Sequence, residues 1–227
     1  MNGLLITLEG IDGSGKTTAL KMLQDRLAQS VPQRRFVFTA EPTNNEAGQI
    51  LRARLSANIQ DISTQDIGTQ EYDALLMARK MEELFLFMAD HSNQLASVII
   101  PSLNAGNIVI SDRYTDSTAA YQGVTLQGVV QDPVNWIINL CKPWDIKPNI
   151  TLLFAIDPAL ALERIRSRRN REKFERLEFL REVDSNFRRI AALEQNRFII
   201  IDAGRDIEDV AGEALSAILG VVCRYQH

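Results

Sequence analysis

The eight residues Gly10-Ile11-Asp12-Gly13-Ser14-Gly15-Lys16-Thr17 constrain this chain more than any other stretch. They satisfy the pattern G-x-x-x-x-G-K-[ST] at each fixed position. The glycines allow successive backbone N–H groups to curl around phosphate oxygens. A lysine at position 16 can bridge the β- and γ-phosphates of a nucleotide, and the Thr17 hydroxyl can hold Mg²⁺. The flanks agree with this reading. Leu4-Leu5-Ile6-Thr7-Leu8 reads as a buried strand, and Ala19 to Gln24 open an amphipathic helix. The N-terminus of that helix adds a dipole that favours anions.

Size and composition set the outer limits. The 227 residues suffice for one domain with a full core. A formal charge of −4 argues against a broad nucleic-acid footprint, so any cationic site must be local. Cys141 and Cys223 have no paired spacing and read as thiols of a reducing compartment. The chain runs directly into a core strand, and no apolar run reaches membrane-spanning length. The expectation is a cytoplasmic protein with no membrane partner.

Five short apolar runs read as buried parallel strands: Leu4–Glu9, Phe36–Thr39, Ile108–Asp112, Thr151–Ile156 and Phe198–Asp202. None shows polar alternation, as expected when helices cover both faces. Helical patterns lie between them, which predicts a right-handed, doubly wound α/β fold. From Tyr72 to Leu103 the pattern predicts one long helix and a shorter one, with the break near Pro101. No linker or repeat divides the chain, so residues 1–227 read as one domain.

Two further features carry chemistry. Val109-Ile110-Ser111-Asp112 is a strand ending in a carboxylate, which after such a glycine loop is a candidate metal ligand. Arg113 beside it can bind a phosphate bidentately, or can instead form a structural ion pair with Asp112 or Asp116. Arg164-Ile165-Arg166-Ser167-Arg168-Arg169-Asn170-Arg171-Glu172-Lys173 is strongly basic within a mildly acidic chain. It is either a solvated helix face or a lid that brings guanidinium groups to transferring phosphates.

Taken together, these segments resemble the thymidylate kinase family. Glu9 to Thr18 resembles that family's phosphate loop, and Glu41-Pro42-Thr43 its E-P segment after the second strand. Asp112-Arg113-Tyr114 continuing into Ser117-Thr118-Ala119-Ala120-Tyr121-Gln122-Gly123 resembles the family signature D-R-[YH]-x-x-S-x-x-A-Y-Q-G, the most specific match. Ile156-Asp157-Pro158, Lys173-Phe174-Glu175 and Glu178-Phe179-Leu180 resemble its lid region.

The resemblance implies a three-layer P-loop kinase with a five-stranded parallel sheet in the order 2-3-1-4-5. It implies ATP-dependent phosphorylation of dTMP to dTDP with Mg²⁺, held by Thr17 and Asp112, and a homodimer. Gly10, Asp12, Gly13, Ser14, Gly15, Lys16, Thr17 and Thr18 would surround ATP, with Arg164 against the adenine. Asp12 would also face the acceptor sugar, Arg52 and Arg113 the acceptor phosphate, and Phe87 the pyrimidine. Glu41, His91, Ser117, Thr118, Tyr121 and Gln122 would complete the acceptor site. Tyr121 would crowd a 2′-hydroxyl. Without that joint pattern Phe87 reads as a core residue and Tyr121 as a packed aromatic.

Family members divide by whether a basic residue sits inside the phosphate loop. Here that position is Gly13, so lid arginines are expected to supply the charge: Arg168 first, with Arg166 and Arg169 close behind, in a lid spanning about 164–175. Two positions depart from the family. Ala40 stands where many relatives have arginine. His91 stands where the family has an arginine that reads the base edge, and a histidine cannot form the same fork. Another pyrimidine nucleotide or a nucleoside as acceptor, or a nucleotide-binding protein without activity, therefore remain alternatives.

Overall fold

A computed structural model describes residues 2–56, 69–166 and 176–225. It contains a five-stranded parallel sheet in the order β2-β3-β1-β4-β5, formed by β1 (Leu4–Glu9), β2 (Phe36–Ala40), β3 (Ile108–Asp112), β4 (Ile150–Ala155) and β5 (Phe198–Asp202). The strands match those expected from the apolar runs to within one residue at each end. The order matches as well.

The central strand shows why the sequence lacks polar alternation. All six residues of β1 are buried. Leu4, Ile6 and Leu8 join the larger hydrophobic cluster, while Leu5 and Val109 pack into a second one with Leu95, Ile99, Leu103 and Tyr114. Side chains of a strand alternate in direction, so a strand between two helical layers carries apolar residues on both faces, here with Thr7 and Glu9 as buried polar exceptions.

Helices fill the connections: α1 (Lys16–Ser30), α2 (Glu46–Ser56), α3 (Thr69–Gln94), α4 (Ile100–Asn104), α5 (Thr115–Thr125), α6 (Pro133–Cys141), α7 (Pro158–Arg166), α8 (Leu177–Leu193) and α9 (Ile207–Arg224). The expected break at Pro101 lies earlier and is milder. A single π-helical turn, Leu95–Ile99, joins α3 to α4, and Pro101 sits in the first turn of α4. The helix runs on through the turn, with Ile100 N–H donating to Leu95 O, and Pro101, which has no N–H, then interrupts the ladder at one residue.

All five strands run the same way, so their C-terminal ends share one edge. Glu9, Ala40 and Asp112 end three adjacent strands there. Open α/β sheets bind ligands beyond this edge.

Candidate active site

The loop between β1 and α1 follows the logic of its glycines. Gly13 has φ +82°, and a Cβ there would lie 2.3 Å from the carbonyl oxygen of Ala161 in α7. This close approach gives a physical reason for the missing basic side chain: the helix leading to the arginine run leans directly on the loop. Gly15 precedes α1 with φ +88°, and no side chain caps the helix N-terminus. The first N–H groups of α1 are thus left for a ligand.

Lys16 is 5% exposed and donates to Gly10 O at 2.8 Å, Ile11 O at 3.1 Å and Ser14 Oγ at 3.2 Å. Burial, with Arg113 nearby, lowers its pKa to about 8. Thr17 Oγ1 donates to Asp112 Oδ2 at 2.8 Å, so the loop hydroxyl meets the strand-end carboxylate. That pairing suits a hard cation held by one carboxylate, one hydroxyl and phosphate oxygens. No group of three His, Cys, Asp or Glu side chains among the described residues could hold a metal alone. The donor set therefore fits an ion that arrives with a nucleotide.

Arg113 holds the corner between the loop and α5. Its φ of +73° places a non-glycine residue in the left-handed region, a strain that surrounding contacts must offset. Its N–H donates to Leu8 O at 3.0 Å. Its guanidinium donates to Ser117 Oγ at 3.0 Å, Gly10 O at 3.3 Å, Tyr121 Oη at 3.3 Å and Asp12 Oδ1. It also lies 4.9 Å from the centre of the Tyr121 ring. Tyr121 Oη donates to Asp12 Oδ2 at 3.0 Å. Burial opposes ionisation of Asp12, yet Arg113 and Lys16 hold its carboxyl below the usual range.

Two cavities meet at this corner. A cleft of about 320 Å³ is lined by Asp12, Gly13 and Gly15 to Thr18 of the phosphate loop and start of α1, by Asp112 and Arg113, and by Ala40, Glu41, Pro42 and Arg52. A smaller, mostly apolar pocket of about 70 Å³ is lined by Pro42, Leu55, Phe87, Ser117 and Tyr121. Asp12 and Arg113 line both.

Arg52 reaches the cleft while gripping the loop after β2. It donates to Thr43 O at 2.6 Å, Pro42 O at 2.9 Å and Asn44 Oδ1 at 2.8 Å. Asp90 accepts from Thr43 N at 2.8 Å and Thr43 Oγ1 at 2.5 Å, which fixes the same loop from α3.

Three expected acceptor-site residues are placed elsewhere. His91 is 3% exposed and does not line the pocket. Its Nδ1 lies 2.6 Å from Glu41 Oε1 and its Nε2 3.0 Å from Asp145 Oδ1, and the Tyr114 ring meets it edge-on at 4.6 Å. Burial opposes its charge, but Glu41 and Asp145 raise its pKa to about 10. Both ring nitrogens are spent on protein carboxyl groups, so His91 does not present a base-reading edge. Gln122 is fully buried, donates to Glu83 Oε1 at 3.0 Å and accepts from Thr125 at 2.6 Å. Thr118 is also buried and absent from the pocket wall.

Arg164 donates to Ala203 O at 3.0 Å, tying α7 to the loop after β5. Arg166 ends α7 on the exposed surface. Arg168, Arg169 and the rest of the basic run to Lys173 lie outside the described residues. Sequence reasoning missed Leu55 as a pocket wall, since nothing local distinguishes it from a core leucine. It also overlooked Glu9, whose burial beside the loop follows from its strand-end position.

Comparison with known proteins bears on the same residues. The profile of the thymidylate kinase family matches residues 8–214. A probable thymidylate kinase of Methanosarcina acetivorans is 42% identical over 226 residues, covering 100% of both chains. One from Methanococcoides burtonii is 38% identical over 222 residues, covering 98% of this chain and 99% of its own. One from Halobacterium salinarum is 37% identical over 215 residues, 95% of each. With a phosphate loop, a strand-end acid and an arginine corner on the expected sheet, and with relatives matched end to end, this chain belongs to the thymidylate kinase family.

Proposed function

We propose that the protein transfers the γ-phosphoryl group of ATP to dTMP, giving ADP and dTDP. The observation that carries this is the shared wall of the two cavities: Asp12 and Arg113 border both a phosphate-sized cleft and an apolar pocket. A donor nucleotide in the first and an acceptor in the second would meet at these two side chains. Gly10, Gly13, Ser14, Gly15, Lys16, Thr17 and Thr18 bind the ATP phosphates, and Arg164 flanks the adenine. Arg113 and Arg52 bind the acceptor phosphate. Phe87, Ser117 and Tyr121 hold the nucleoside, with Glu41 and Thr118 supporting the walls.

Thr17 and Asp112 would hold Mg²⁺, which supplies positive charge between the phosphates. Lys16 and the lid arginines, Arg168 first and Arg166 next, neutralise charge on the moving group. An acceptor phosphate is already an anion at neutral pH, so no strong base is needed. Catalysis is then positioning and electrostatics.

The same reading takes the chain as one kinase domain with a lid at about 164–175, working in the cytoplasm as a homodimer. Exposed Leu76, Met77 and Phe85 on α3 support a partner surface on that helix. No helix among the described residues is long and apolar enough to cross a membrane.

The test is a panel of dTMP, dUMP, dCMP and thymidine with ATP, scored by kcat/KM. The highest value is expected for dTMP. A faster reaction with another acceptor, or tight dTMP binding without product, overturns the reading.

A further inference from the structure

One buried carboxyl group has no part in the scheme above. Glu9 ends β1, immediately before the glycine loop, and has no solvent exposure. Its Oε2 accepts the hydroxyl proton of Ser117, and its Oε1 has no hydrogen-bond partner among the described residues. Ser117 Oγ in turn accepts from Arg113 Nη1 at 3.0 Å, while Nη2 of the same guanidinium donates to Asp12. A chain of contacts thus runs from the strand end through Ser117 and Arg113 to the cleft.

The direction of this chain follows from the hydroxyl group. A serine hydroxyl has one proton and two lone pairs, and it rotates to suit its neighbours. Because Glu9 takes the proton, the lone pairs are left for Arg113. Without Glu9 the hydroxyl could turn its proton toward the guanidinium, which has no acceptor to offer. We propose that Glu9 is a positioning residue for the acceptor phosphate, aiming Arg113 through Ser117. This rests on the reading of Arg113 as an acceptor-phosphate ligand.

The surroundings also keep Glu9 from competing with that ligand. Asp116, adjacent to Ser117 in sequence, is paired bidentately with Arg197 at 2.7 and 2.8 Å. Burial first, and then the Asp116 charge, push the Glu9 carboxyl well above its usual range, against the pull of Ser117, Arg113 and Lys16. In either protonation state Glu9 keeps an oxygen that accepts from Ser117, and the upward shift reduces the tendency of its charge to offset that of Arg113 and Lys16.

Steady-state kinetics of Glu9→Gln, Glu9→Ala, Ser117→Ala and Arg113→Ala, with KM read separately for dTMP and ATP, provide the test. Glu9→Ala and Ser117→Ala should each raise the dTMP KM about tenfold, the scale of one lost hydrogen bond, and leave the ATP KM within about twofold. The double variant should be no worse than either single one, since both break the same chain. Glu9→Gln keeps the accepting oxygen and should rescue the dTMP KM to within about threefold. Equal damage by Gln and Ala, or equal rises in both KM values, overturns the proposal. A dTMP KM raised in Arg113→Ala but normal in Ser117→Ala overturns it too, and that comparison stands even if Glu9→Ala fails to fold. An unchanged dTMP KM in Arg113→Ala overturns the Arg113 reading itself, and the proposal with it.

Discussion

Two of the clusters among the described residues in which one cation lies among carboxyl groups invite comparison. Arg113 sits between Asp12 and, through Ser117, Glu9. His91 sits between Glu41 and Asp145. In charge and composition the two are nearly equivalent. They differ in what remains open. The Arg113 side chain is 18% exposed and its partner Asp12 36%, and both border cavities. His91 itself is sealed, although Glu41 borders the cleft and Asp145 a separate pocket of about 260 Å³; Asp145 also accepts from the His91 ring, the Tyr114 and Thr115 hydroxyls and the Ile146 N–H. A charged cluster with one free side can exchange a protein contact for a ligand. One whose central cation is buried and bonded on both sides holds segments together. Here it joins α3 to the loop after β2, the start of α5 and the loop before β4.

The largest effect tests whether the open cluster is sufficient for catalysis. On the proposed reading, glycine at position 13 leaves Arg113 and Lys16 short of charge for the transferred group, and the lid arginines supply the rest. Arg168→Ala should lower turnover on the order of 10³-fold, the lower end for an arginine finger. A fall below about tenfold would assign that role to another residue, with Arg166→Ala the next variant to measure.

Removing each central cation in turn tests the comparison directly. Arg113→Ala should raise the dTMP KM by about 100-fold, the scale of a charge-assisted, bidentate contact. His91→Ala should show the reverse: loss of about 3–5 kcal/mol of stability, because two buried carboxyl groups lose their counter-charge, with kcat/KM of the folded enzyme little changed. Urea denaturation beside steady-state kinetics measures both. A His91 variant that folds normally but loses preference for dTMP would make His91 a substrate contact and erase the distinction.

The open cluster was far more legible in the sequence than the sealed one. Gly10 to Thr17 is contiguous, and the types of residue it requires follow from phosphate geometry. Asp112-Arg113 ends a strand whose apolar run announces it. The strands could be read because burial on both faces favours apolar residues on both sides of the strand, without polar alternation. The sealed cluster joins Glu41, His91, Thr115 and Asp145, which are tens of residues apart, and no local pattern marks them as neighbours. His91 illustrates this: it follows the Ala-Asp pair of α3, and nothing local shows that its ring is turned to Glu41 and Asp145. Gln122 was misplaced likewise, since only the fold reveals that α5 turns it toward Glu83. The π-helical turn at Leu95–Ile99 left no trace of its own, because its extra residue only rotates an apolar stripe that continues on either side.

The smallest effect concerns pH. The folded pKa of His91 is raised to about 10 from an ordinary value of 6.5. The folded state therefore binds more protons than the unfolded chain between those values. The stability contributed by His91 is fully present below pH 6.5 and is lost as the pH rises toward 10. Lys16 acts in the opposite sense. Its pKa is lowered to about 8, so its buried charge destabilises the fold most below pH 8, and this burden lifts as the pH climbs above that value. Between pH 6.5 and 8 His91 acts without that offset, and the slope attributable to it should approach about 1.4 kcal/mol per pH unit, one proton's worth. Taking the difference between wild type and His91→Gln removes the contributions of other groups, including Lys16. A difference curve that is flat from pH 6.5 to 9 would mean that His91 is neutral in the fold, and that Glu41 and Asp145 hold it by hydrogen bonds alone.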